Sequence, residues 1–116
     1  MVGITPLVRE GDFSELDRMV QYELISKENG KVFQRKNWEY GDAIAKTGVL
    51  GAAVEIVGVA ARLETLILDQ PADFEEEPGD LYAILNVFLD LANYAIIGRI
   101  MMEEKNFRGE KYRGDR

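Results

Sequence analysis

At 116 residues with 47% hydrophobic side chains, the chain is long enough for one folded domain with a modest core and too short for two. It has no cysteine and no histidine, which removes disulfides, thiolate metal sites, cysteine nucleophiles, the usual general base and the commonest ligand for zinc or iron. A net charge of −7 argues against general nucleic-acid binding, and the lack of cysteine fits a reducing cytoplasm.

Residues 1–13 form an irregular lead-in containing Gly3, Pro6 and Gly11, and the first seven lack the basic start of a cleavable signal. Ser14 reads as a helix N-cap, with Phe13 as a staple residue and Leu16, Met19, Val20 and Leu24 at helical spacing. At Asn29-Gly30 the helix either stops and restarts or runs on with a soft spot, because glycine costs about 1 kcal/mol in a helix interior. A break follows at residues 36–42, KNWEYGD. Its Trp38 and Tyr40 read either as core anchors or as a platform for a purine, since stacking a base on an aromatic ring is worth roughly 1–3 kcal/mol.

Residues 49–68 predict a largely apolar helix on which Gly51, Glu55, Gly58 and Arg62 fall within an arc of about 60°. Two glycines on one face imply a close approach, by a packed helix or by a ligand with Glu55 and Arg62 at its ends. Residues 69–79, with Pro71, Pro78 and Gly79, are a linker whose acidic run Glu75–Glu77 suits the approach to a helix N-terminus, and Asp80 is the expected cap.

Residues 80–104 predict the central helix, apolar on nearly every face apart from one polar stripe. Asn86, Asp90 and Asn93 lie within about 60° of one another, and such groups are not buried without hydrogen bonds. A membrane span is not expected here, because Asp90 and Arg99 each cost about 2.5–3.5 kcal/mol inside a bilayer. Residues 105–116 form a basic tail, read as solvated chain, a phosphate-contacting arm or a subunit contact. The fold class expected is all-α: an antiparallel bundle of three or four helices in a single domain over 1–116, completed by oligomerisation.

The stretches KNWEYGDAIAKTGVLGAAVEIVGVAARLETLIL and FLDLANYAIIGRIMM resemble the phage and bacterial family called nucleotide modification associated domain 1. That family is similar to the MazG-like all-α nucleoside triphosphate pyrophosphatases. The likeness covers roughly residues 31–102. Its most specific pieces are Lys36-Asn37 with Glu39-Tyr40-Gly41-Asp42, Arg62-Leu63, and the run from Leu89 to Ala95.

The resemblance implies a nucleotide cleft between antiparallel helices, with magnesium held by two acidic pairs. In this chain Asn93 matches an asparagine of the superfamily, but the acid seven residues before it is Asn86, and the acid before that falls on Ala83 or Tyr82. Glu55 survives, while Gly58 stands where its partner acid is expected; a shift of one turn would bring in Glu39, Asp42, Glu64 or Asp80.

The lost carboxylates lead to an expectation of a phage-type protein that binds or sequesters a nucleotide, such as a host signalling nucleotide, in host cytoplasm without efficient hydrolysis or a cofactor. Its ligand-binding residues would be Trp38, Tyr40, Gly51, Glu55, Gly58, Arg62, Asn86, Asp90 and Asn93. One alternative is a magnesium-dependent pyrophosphatase with Glu55 and Asp90 as metal ligands, since one or two carboxylates plus substrate phosphates suffice for magnesium. The other is a helical assembly module in which Arg62 pairs with Asp90 or Glu55.

Overall fold

Two helices carry matching apolar ladders. Along one, Val49, Ala52, Ile56, Val59, Leu63 and Leu66 recur at alternating steps of three and four; along the other, Ile84, Val87, Leu91, Tyr94, Gly98 and Met101 do the same. Such spacing keeps one seam facing a partner helix through several turns. A computed structural model of the chain, which describes residues 13–37, 43–70 and 79–109, shows these ladders packed against each other.

All the regular structure among the described residues is helical: a 3-10 turn (Phe13–Glu15), α1 (Arg18–Asn37), a single turn α2 (Ala43–Ala45), α3 (Gly48–Leu68) and α4 (Leu81–Glu103). The last two match the helices expected from the sequence to within one residue at each end. Contacts at both ends of the α3–α4 pair make it antiparallel. At one end a Cβ on Gly98 would lie 3.5 Å from the Ala52 Cβ; at the other, Gln70 Nε2 donates to Asp80 Oδ2 at 3.0 Å. Helix α4 is the middle element, in contact with α3 and with α1.

The core has two parts. Ile44, Ala52, Ile97 and Met101 form one, joined by half-buried Phe33, Val49 and Tyr94 and drawing on all four helices. Val32 and Leu89 form the other, with Leu85 against them, and pin α1 to α4.

Three terminal features differ from expectation. Helix α1 starts at Arg18, not after Ser14, because Phe13–Glu15 make a 3-10 turn whose Phe13 carbonyl accepts from Leu16 N at 3.1 Å and from Gln21 Nε2 at 2.8 Å. It then runs unbroken through Asn29-Gly30. Asp80 stands at the cap of α4 but makes no side-chain cap bond, its carboxylate being turned to Gln70.

The basic stretch opens with residues that are packed. After Glu104 caps α4, Lys105 adopts φ 59°, its N–H donates to Met102 O at 3.0 Å, and Asn106 N–H donates to Met101 O at 2.9 Å. This closing turn satisfies the last carbonyls of the helix. The chain then crosses the start of α3, where Val49 N–H donates to Asn106 O at 2.9 Å and Leu50 N–H to Phe107 O at 3.0 Å. Thr47 precedes α3 but makes no side-chain cap bond, so these two carbonyls act in its place. Gly48, at φ +67°, sits against this segment so closely that a Cβ would strike the Asn106 carbonyl.

Asn106 itself is 2% exposed; its Nδ2 donates to Ala45 O at 3.0 Å and its Oδ1 accepts from Gly109 N at 2.8 Å. Asn106→Ala removes the bonds to a buried carbonyl and to a half-buried N–H, and should cost roughly 2 kcal/mol. Urea unfolding followed by far-UV circular dichroism checks this, and a midpoint equal to the parent's would contradict it.

Candidate functional site

Helix α1 meets α4 at Val32 and Leu89, and along its preceding turns the two helices leave a cleft of about 590 Å³. Tyr22, Ile25, Ser26, Asn29, Gly30 and Phe33 line it from α1, and Ala92, Asn93 and Ile96 from α4. A volume of this size lies within the range of small-molecule sites, roughly 300–1,000 Å³. The lining is mainly apolar with a few amide and hydroxyl groups, and Tyr22 stands 63% exposed at its edge.

Asn93 is the anomaly of the cleft. It is 0% exposed, and neither its Nδ2 nor its Oδ1 has a hydrogen-bond partner among the described residues. Each unsatisfied buried amide atom costs about 1–3 kcal/mol. Gly30 is a second cost at the same place. It sits inside a 20-residue helix with nothing within 4 Å of where a Cβ would stand, so alanine would fit and be favoured by about 1 kcal/mol. Its absent side chain widens the cleft.

Asn86, two helical turns before Asn93, is also buried, but its Nδ2 donates to the Tyr82 carbonyl of its own helix at 2.8 Å. Asp90 between them is half-buried. On α3, Glu55, Gly58 and Arg62 are exposed, and nothing lies within 4 Å of a Gly58 Cβ, so this glycine does not mark a close helix approach. Gly51 is half-buried, with the Thr47 side chain where its Cβ would go.

The two stripes therefore do not touch, yet they share a face. Each lies about 100° around its helix from the α3–α4 seam in the same rotational sense, and in an antiparallel pair that places both on one broad side of the hairpin. On α4 the Asn93 part of that side is sealed beneath α1, while on α3 it is open. No ion pair joins Arg62 to Glu55 or Asp90 among the described residues. Nor do three His, Cys, Asp or Glu side chains gather there into a possible metal site. Trp38 and Tyr40 lie outside the described residues.

Sequence reasoning missed the α1 half of the cleft. Its signal was Tyr22, Ser26, Asn29 and Phe33, which follow at steps of four, three and four on one face of α1. Asn29-Gly30 belongs to this lining and is not a break.

Glu28, one turn before Val32, is half-buried, and desolvation raises its carboxyl pKa above the ordinary value. A raised folded-state pKa gives stability that is present below the unfolded value of about 4.5 and lost as pH rises through the folded value. The parent should therefore gain stability on acidification from pH 7 towards 4.5 relative to Glu28→Gln, as read by paired urea titrations.

Helix α4 is, among the described residues, the one helix long and apolar enough to cross a membrane by length and composition. In this fold it is the middle helix, with Ile84, Val87, Leu89, Ile97 and Met101 buried against its neighbours. Comparison with protein-family models, curated proteins and solved structures finds no match.

Both anomalies of the cleft can be removed in the folded protein. Asn93→Leu replaces an unsatisfied amide by an apolar group of similar size, and Gly30→Ala restores helix propensity. Each should raise the unfolding free energy by about 1 kcal/mol or more, read as a higher urea midpoint. A fall in stability for both would show that these residues are already satisfied structurally.

Proposed function

We propose that this chain is a nucleotide-binding helical domain of MazG-like character that holds a nucleotide in the α1–α4 cleft without efficient hydrolysis. The observation that carries the reading is the Asn93 amide, fully buried, unpartnered and set in the floor of the cleft. The amide is closed to water in this state, so a ligand reaches it only as α1 moves off α4; its donor and acceptor then complement the paired acceptor and donor on a nucleobase edge. Tyr22 and Phe33 provide aromatic surface for the base, and Ser26 and Asn29 add polar contacts from the opposite wall.

The phosphates would then extend over the open side of the hairpin. Arg62 stands exposed on that side, and a guanidinium gives a forked donor for phosphate oxygens. Glu55 and Asp90 share the side, and Gly58 leaves it free of bulk along α3, whereas the Thr47 side chain fills the space beside Gly51. The family resemblance supports a nucleotide as the ligand class, and the replacement of acids by Asn86 and Gly58 favours retention over cleavage. A phage-type, cytoplasmic protein that sequesters a host nucleotide fits this reading. The magnesium-dependent pyrophosphatase, using Glu55 and Asp90, remains the competing assignment.

Calorimetry against a panel of nucleoside mono-, di- and triphosphates, with and without magnesium, tests the reading. The parent should bind at least one nucleotide in either condition. Asn93→Leu should weaken binding at least tenfold while raising stability, and Asp90→Ala and Arg62→Ala should weaken it with helicity retained. Turnover with magnesium at about 1 per second or faster would instead establish the pyrophosphatase. Failure to bind any nucleotide would leave a helical assembly module.

A further inference from the structure

Helix α1 is anchored through its second half. Val32 is 2% exposed against Leu89, with Leu85 beside them, and Phe33 packs on the cluster of Ile44, Ala52, Ile97 and Met101. Residues 18–29, by contrast, contribute no buried side chain, and Met19 and Tyr22 are 64% and 63% exposed. Yet Tyr22, Ile25, Ser26 and Asn29 of this first half form the wall of the cleft opposite Asn93. The part of α1 that closes over the amide is thus the part with the least apolar burial, and a segment with few buried contacts opens at low free-energy cost.

Gly30 separates the two halves. Nothing lies within 4 Å of where its Cβ would stand, so no neighbouring side chain braces the backbone there. Glycine lowers helix propensity and is a common place for helices to bend. With a rise of about 1.5 Å per residue, a bend of about 30° at Gly30 would carry Ser26 about 3 Å and Tyr22 about 6 Å away from α4. Even the smaller movement lets water or a ligand group reach the amide.

We infer that α1 is a hinged cover: residues 18–29 swing about Gly30 between the closed state seen here and an open state in which the Asn93 amide meets whatever enters the cleft. Two opposed effects set the balance. Closing the cover strips water from both polar atoms of Asn93 without giving them a partner among the described residues. What it gains is the burial of side chains that stay half-buried or exposed. These effects are of the same order, and an element whose two states lie close in free energy responds to whatever favours one of them. A ligand that bonds to Asn93 removes the cost of closing. It enters while the cover is up and then holds the cover down over itself. The inference takes the cleft as the proposed site and adds how that site is entered; it rests on the burial of Asn93 and not on the ligand being a nucleotide.

Because the chain has no native cysteine, introduced thiols report the opening with no ligand present. Asn93→Cys places one under the cover. Ile97→Cys, one turn on and 1% exposed, places one in the cluster that joins α2, α3 and α4. Without urea, Asn93→Cys should react with a soluble aromatic disulfide at least tenfold faster than Ile97→Cys, and the two rates should converge as urea approaches the unfolding midpoint. Equal rates at every urea concentration would mean that residue 93 is reached only by global unfolding, and would overturn the inference. A second measurement leaves Asn93 in place. Nitroxide labels on the exposed positions Met19→Cys and Tyr82→Cys should give a broad or two-peaked distance distribution by pulsed electron resonance, whereas Glu64→Cys with Arg99→Cys, both on the α3–α4 hairpin, should give one narrow peak. Equally narrow distributions for both pairs would also overturn it. The two readings fail separately: a moving cover on a protein that binds no nucleotide sinks only the proposed ligand, and nucleotide binding beneath a rigid cover sinks only the hinge.

Discussion

The fold depends on how the end of α4 is tied to the beginning of α3. Helix ends leave unpaired N–H and carbonyl groups, and each needs a partner when water is excluded. Here one short segment serves both helices. Residues 105 and 106 turn back to satisfy carbonyls of α4, and the carbonyls of Asn106 and Phe107 go on to accept the first N–H groups of α3. The buried Asn106 side chain adds α2 to the knot through Ala45. Everything the α3–α4 seam presents, including the stripes on its broad side, is held in register by this closure at one end and by the Gln70–Asp80 contact at the other.

Much of the architecture was legible in the sequence because it is written in local period. The α3 and α4 ladders repeat at three-to-four spacing over some twenty residues, long enough to fix both helices, and the connection of about eleven residues between them calls for an antiparallel pair. The polar stripes of Gly51, Glu55, Gly58 and Arg62, and of Asn86, Asp90 and Asn93, were visible by the same arithmetic. What periodicity cannot give is the third partner. Nothing in the spacing of α4 says that α1, rather than α3, covers Asn93, so the enclosed part of the cleft was assigned to the wrong neighbour of α4. Gly58 misled in a related way. A glycine on a helix face signals missing bulk but not what uses the space, and here the space is open to solvent.

Caps were the least legible features, because several polar side chains compete for each helix end. Ser14 and Asp80 both have the right chemistry and neighbours for an N-cap. Ser14 lost to a 3-10 turn locked by Gln21, and Asp80 turned toward an amide ten residues away. Asn106 lay in a run of charges that reads as solvated tail. Its role depends on a contact across 61 residues of sequence, which no local pattern encodes.

Gln70 has a consequence beyond capping. Its amide accepts from Gly79 N at 3.1 Å and donates to both Asp80 Oδ2 and Leu66 O, so one side chain staples the two ends of the segment 71–78. These bonds tie the end of α3 to the start of α4 directly. Lengthening a closed loop costs little, about 0.6 kcal/mol for each doubling. An insertion within 71–78 would therefore add little closure entropy, and the bonds of Gln70 to Gly79 and Asp80, made by residues outside the insertion, would still join the two helix ends.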